Sequence, residues 1–148
     1  MPERTNEEIV QAYVEAYRID DRAALAGLRH PDWILEYPQS GERIRGHSND
    51  QAIAEHYPGG IPHVDSTRVV GSEDHWVVTP SYTVERVRGS GDAWWVEARM
   101  TYADGSVWFS TMILDLREGK VWRETTFWAE PFEPPAWRAP WVERIPEA

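Results

Sequence analysis

Glu124 stands in the stretch Trp122-Arg123-Glu124-Thr125-Thr126-Phe127-Trp128, with an indole on either side of it. A carboxyl enclosed by such rings loses hydration and titrates above its ordinary range, which qualifies it as a general base or acid. An ion pair with Arg99 or Arg123 is the commoner fate of such a residue. His56 sits one turn from the end of a helical stretch, where an imidazole could serve the same chemistry or simply favour a helix C-terminus. Glu97 and Arg99 lie two apart beside Trp95, a spacing that cross-strand ion pairs explain without chemistry. The rings Tyr13, Tyr17, Trp33, Tyr37, Tyr57, Trp108 and Trp128 could line a pocket for a flat, mostly hydrophobic ligand bearing carbonyl or phenol oxygens, or could pack a core.

Other chemistries are excluded by what is missing. The chain has no cysteine, which removes thiolate metal sites, disulfides and cysteine nucleophiles. His30, His47, His56, His63 and His75 form no H-x-H or H-x-x-x-H pair, and no metal is expected. No G-x-S-x-G, phosphate-binding loop or dinucleotide fingerprint occurs, so no cofactor is expected either.

The elements that must position these residues can be read in order. Thr5-Asn6-Glu7-Glu8 has the form of a capping box, and Ile9, Val10, Tyr13, Val14, Ala16 and Tyr17 recur at helical spacing up to Arg18. Asp20-Asp21 caps a shorter helix carrying Ala24, Leu25 and Leu28, which His30-Pro31 ends. From Asp32 the period becomes two, through Trp33, Leu35 and Tyr37, with a turn at Ser40-Gly41 into Arg43-Ile44-Arg45. Ser48-Asn49-Asp50-Gln51 reads as a second capping box, opening a third helix that Pro58-Gly59-Gly60 closes. The rest is β-rich, broken at Gly71-Ser72, Gly89-Ser90-Gly91-Asp92, Ala103-Asp104-Gly105 and Glu118-Gly119, with Pro80 interrupting the stretch from His75 to Val87. The segment 131–148 carries five prolines yet also Phe132, Trp137 and Trp141. It reads as a tail without helix or ladder potential, packed on the domain 1–130 or on a partner subunit.

These 148 residues suffice for one domain with a real core. A formal charge of -10, with 25 acidic against 15 basic residues, disfavours nucleic acid and anionic membrane surfaces as partners. No apolar run reaches the length of a spanning helix, no leader is visible and no cysteine is used, so a cytoplasmic location is expected. Helices followed by strands give an α+β class with a curved antiparallel sheet wrapped around three helices. In Val107–Leu116 both strand faces are apolar. The helices cover only one, and a second subunit is expected on the other, making a homodimer.

Three patterns carry a resemblance: Val10-Gln11-Ala12-Tyr13-Val14-Glu15-Ala16-Tyr17 with Asp20-Asp21; Leu35-Glu36-Tyr37-Pro38 with Gly41 and Arg45-Gly46-His47; and Asp115-Leu116-Arg117-Glu118-Gly119-Lys120-Val121. In these and in element order the whole chain resembles the SnoaL-like branch of the nuclear transport factor 2-like superfamily. That is the cone-shaped fold of ketosteroid isomerases, polyketide cyclases, scytalone dehydratase and limonene epoxide hydrolase. The resemblance implies a cone (a cystatin-like roll) with its site in the mouth. It places Tyr13 where the isomerases have an oxyanion-donating Tyr. It also puts Tyr37 at the position of their catalytic Asp and Met112 at that of their second, protonated Asp.

With Met112 facing the cone, Trp122, Glu124, Thr126 and Trp128 are expected inward as well. The implied function is a cofactor-independent enzyme acting by proton transfer on a small hydrophobic carbonyl, aromatic or polyketide-like molecule, as an isomerase, cyclase or dehydratase. Tyr13 and Tyr37 would be donors and Glu124 or His56 the base. Tyr17, Trp33, Tyr57, Trp108, Met112 and Trp128 would bind the ligand. A non-catalytic binding or dimerisation module of the same fold is the alternative.

Overall fold

The computed structural model describes residues 3–71, 75–78, 84–87 and 91–146. The first helix, α1 (Asn6–Arg18), begins as its sequence demands: Thr5 Oγ1 accepts from the Glu8 amide at 3.2 Å and Glu8 Oε2 accepts from the Thr5 amide at 2.8 Å. Its stripe Ile9, Val10, Tyr13, Val14 and Ala16 is buried. Asp20 turns the chain in the left-handed region (φ 54°), which a short polar side chain tolerates. Asp21 then caps α2 (Arg22–Leu28) by accepting from the Ala24 amide at 3.0 Å.

Strand β1 (Arg29–Tyr37) starts three residues earlier than the periodicity predicts. The residue before Pro31 avoids helical geometry, so the chain extends directly from α2, and Arg29 becomes a strand residue. β1 pairs with β2 (Glu42–Arg45) through the predicted hairpin. The third helix, α3 (His47–Glu55), forms without the expected capping box: Gly46 is its N-cap, at φ 84°, with no side-chain cap bond. Asp50, in the first turn of α3, forms an ion pair with a buried arginine.

The remaining strands are β3 (His63–Gly71), β4 (His75–Val78), β5 (Val84–Val87), β6 (Ala93–Thr101), β7 (Val107–Arg117) and β8 (Lys120–Ala129). Among the described residues β4 and β5 form a two-stranded ladder, and six strands form a curved sheet in the order β2-β1-β8-β7-β6-β3. Pro80, Ser72, Gly89 and Ser90 lie outside the described residues. The sheet is antiparallel except where β1 runs parallel to β8, a pairing that periodicity could not reveal. Its concave face contributes Trp33, Leu35, Ile44, Val96, Ala98, Met112, Leu114, Leu116 and Val121 to a core closed by α1 and by Leu25 of α2.

Two expectations are corrected here. In β8, Leu116 pairs with Val121 and Asp115 with Arg123, so Trp122 is the extra residue of a bulge. The bulge reverses the inward parity: Val121 is buried, while Trp122 lies under the Arg117 guanidinium, 4.7 Å from the ring centre. In the tail, Ala136–Trp141 form a 3-10 turn, which the fixed φ of Pro140 permits. Phe132, Trp137 and Trp141 are 73–79% exposed in the single chain, so the tail does not dock them on its own domain.

Candidate functional site

Glu124 is the interior residue of β8 and has no exposed surface. Its ladder partners are Leu114 on β7 and Leu35 on β1, both apolar, so the backbone neighbourhood offers the carboxyl nothing polar. Three side-chain donors compensate. The Tyr13 hydroxyl donates to Oε1, the Trp33 Nε1–H to Oε1 at 3.0 Å, and the Tyr17 hydroxyl to Oε2 at 3.0 Å. Tyr13 and Tyr17 are one helical turn apart on α1 and meet edge to face, 5.3 Å between centroids. Burial drives the Glu124 carboxyl well above its ordinary range and raises the Tyr17 phenol.

Behind the phenols lies Arg29, whose side chain is 1% exposed. Its Nε donates to the Tyr13 oxygen at 2.8 Å and Nη2 to the Tyr17 oxygen at 2.9 Å. Nη1 donates to Asp50 Oδ2 at 2.9 Å and to His47 Nδ1 at 2.7 Å. The guanidinium also lies over the Trp33 ring, 3.9 Å from its centre. Because His47 Nδ1 accepts here, the imidazole carries its hydrogen on Nε2. Burial first, and then the Arg29 charge, lower its pKa. Asp50 is shared with Arg22 at 3.1 Å, and Arg22 also pairs with Asp20 at 2.8 Å. Arg29 therefore stands between two carboxylates, Asp50 at 2.9 Å and Glu124 at 3.9 Å.

A cavity of about 120 Å³ is walled by Tyr17, Tyr37, Tyr57 and Trp128, by Val64, Met100 and Ile53, and at its polar side by Asp20, Arg22 and Asp50. Tyr37 and Trp128 touch at 4.4 Å between ring centres, and burial pushes the Tyr37 phenol up. Glu124, Tyr13 and Trp33 do not line the cavity. Tyr17 does, and it is the direct bridge from the cavity wall to the buried carboxyl.

The residues expected to form one site thus separate. Tyr17, Tyr37, Tyr57 and Trp128 share the cavity, and Tyr13, Trp33 and Glu124 share the sealed cluster beneath it. Met112 belongs to the core, and Trp108 packs edge-on against Tyr102 at 6.1 Å; neither lines the cavity. His56 is exposed at the C-cap of α3 with its Nδ1 2.7 Å from the Ala52 carbonyl, apart from Glu124 and from the cavity wall. Arg99 and Arg123 are not partners of Glu124: Arg99 sits over Phe109 on the convex face, and Arg123 pairs with Glu36 at 2.9 Å. Arg29, Asp50 and His47 escaped the sequence reading. Asp50 is a spacer between Ser48 and Gln51 in the capping-box pattern and Arg29 falls in the junction before a proline, although an arginine at the head of an apolar strand is itself a signal.

The fold and the site define a class: an α+β cone with a small aromatic cavity above a sealed tyrosine–carboxyl cluster. Among solved structures the chain is similar to an NTF2-like protein of unknown function from Burkholderia xenovorans LB400, at 31% identity over 95% of each chain with a TM-score of 0.73. It is similar to a protein of Kribbella flavida DSM 17836 provisionally named a ketosteroid isomerase, at 25% identity over 96% of this chain and 90% of that one, TM-score 0.73. A protein of Pseudomonas putida KT2440 provisionally named a polyketide cyclase shares the fold at 20% identity over 84% and 91% of the two chains, TM-score 0.57. No family model and no curated protein matches the sequence. The chain belongs to the nuclear transport factor 2-like superfamily. Among the described residues no helix is long and apolar enough to cross a membrane.

Proposed function

We propose that the protein is a cofactor-independent enzyme that moves a proton to and from a small carbonyl compound, in the manner of an isomerase, cyclase or dehydratase. Glu124 is the acid/base, reaching the ligand through Tyr17, and Tyr37 is a further phenol on the wall for the developing oxyanion. The observation that carries this reading is the direct bond from a fully buried carboxyl to a cavity-wall hydroxyl, Tyr17 to Glu124 at 3.0 Å. Burial raises the proton affinity of this carboxyl above that of an ordinary glutamate, the direction in which a general base is tuned. Tyr13, sealed beneath the cavity, holds the carboxyl in place and is not a donor to the ligand.

Size restricts the substrate. A cavity of about 120 Å³ is smaller than the roughly 150 Å³ that accommodates benzene and far below the pockets that enclose drug-sized ligands. A small ketone fits, or the carbonyl end of a longer molecule whose remainder stays at the open mouth. The test is exchange of α-hydrogens of acetone and butanone in D2O, followed by NMR. Wild type is expected to exceed the buffer rate, and Glu124→Gln and Tyr17→Phe to lose at least about 10²-fold of that excess. Exchange unchanged in both variants would remove this assignment.

A second reading, a non-catalytic binding module, is favoured by one observation: Glu124 itself has no contact with the cavity. It predicts that the same ketones raise the melting temperature of wild type while exchange stays at the buffer rate.

We also propose a homodimer joined through the convex face of the sheet. Phe109, Phe127, Val107 and Val70 are 36–45% exposed there, while the exposed Trp137 and Trp141 of the tail need a cover. Phe109→Asp/Phe127→Asp is expected to halve the mass measured by light scattering, against a dimeric wild type. A wild type of monomer mass would discard the interface.

A further inference from the structure

Both phenols of the cluster are bonded on two sides. Arg29 has five N–H donors in one plane, and four are committed: to the Tyr13 oxygen, the Tyr17 oxygen, Asp50 and His47 Nδ1. A phenol has a single hydrogen. Where its oxygen accepts from a guanidinium, that hydrogen must point elsewhere, and for Tyr13 and Tyr17 the acceptor is Glu124. Tyr17 then retains one lone pair with no bond among the described residues, and its side chain is part of the cavity wall. Tyr13 has no exposed surface.

We propose that Arg29 is a positioning residue: by donating to both phenol oxygens it turns both hydroxyl hydrogens onto Glu124, holding the carboxyl as an acceptor and making Tyr17 the proton relay between the cavity and Glu124. The role rests on the proton-transfer reading of the site. In the relay the ligand proton forms a bond to the Tyr17 oxygen while the Tyr17 hydrogen passes to Glu124 Oε2. Tyr17 ends neutral as it began, Glu124 becomes a neutral acid, and the negative charge moves to the ligand. A phenol raised by burial is suited to this, because it does not dwell as phenolate.

The groups facing Glu124 fix what a titration reports. Tyr13 and Tyr17 face it from α1 and Arg29 from β1, with Asp50 and His47 of α3 behind Arg29. Its ladder neighbours Leu35 and Leu114 bring no charge.

The experiment is an infrared titration of the Glu124 carboxyl, with Glu124→Gln as the blank, in wild type, Arg29→Gln and Arg29→Lys. Lysine keeps the charge but cannot span two phenols and a carboxylate. Both substitutions are expected to raise the midpoint by about one pH unit or more. A midpoint in Arg29→Lys equal to that of wild type would show that charge alone suffices and would overturn the positioning role. Should either variant fail to fold, proton NMR of wild type and Tyr17→Phe reads the same geometry: two protected low-field hydroxyl protons in the first and one in the second. Their absence from wild type overturns the proposal. An Arg29-dependent midpoint without any ketone exchange would leave the positioning standing and remove the reaction alone.

Discussion

Arg29→Met is expected to lower the stability of the fold by about 3–5 kcal/mol, the usual consequence of removing one partner from a buried ion pair. The cause is what remains. Asp50 keeps Arg22 at 3.1 Å and lies at the cavity wall, so it retains partial compensation. Glu124 keeps its three donors but loses the cation 3.9 Å away, and the Tyr13 and Tyr17 hydroxyls are no longer held toward it. Trp33 loses the guanidinium stacked on its ring. Domains of this kind have a total of roughly 5–15 kcal/mol, so the variant stays folded only in mild conditions. Urea unfolding followed by tryptophan fluorescence measures it, with the midpoint falling and the slope unchanged. Glu124→Gln added to Arg29→Met should return part of the loss, because it removes the carboxyl that has lost its cation. A loss below about 1 kcal/mol would show that the cluster does not depend on Arg29.

Local signals in the sequence carried most of the fold. The Thr5 box, the Asp21 cap and the two-residue alternation of β7 each depend on near neighbours, and each forms where the spacing places it. The departures are non-local. The parallel pairing of β1 with β8 joins residues nearly ninety apart, and the bulge that turns Trp122 outward arises from how β7 and β8 meet. At the site, Glu124 was visible because a carboxyl among indoles is chemically odd wherever it points. Its pairing was not visible, since Tyr13 and Tyr17 come from α1 and Arg29 and Trp33 from β1, two segments far from Glu124 in the chain that only the fold brings to it. Nor does a pattern of rings separate cavity from core: Tyr17 and Tyr13 share one helical stripe, yet only Tyr17 reaches the cavity.

The pH dependence of stability supplies the second large effect. Burial raises the folded-state pKa of Glu124 above its unfolded value, so the contribution of this group is fully present below the ordinary glutamate range, where both states hold the proton. As pH rises past that range the unfolded chain ionises first. The folded state is then penalised by about tenfold in the folding equilibrium for each further pH unit, until the pH passes the folded pKa. Glu124→Gln has nothing to ionise. Its carbonyl can accept from Tyr13 and Trp33, and its amide can donate to the Tyr17 oxygen, freeing that hydroxyl to turn toward the cavity. Every other titrating residue is common to the two proteins, so the difference between their stabilities isolates Glu124. That difference is expected to move steadily in favour of Glu124→Gln from mildly acidic pH upward and to level off above the folded pKa. Parallel unfolding curves at a series of pH values measure it. A difference that stays flat would mean that Glu124 titrates in the fold as it does in the open chain, and a carboxyl of that kind would hold too little of its charge back from water to draw a proton through Tyr17.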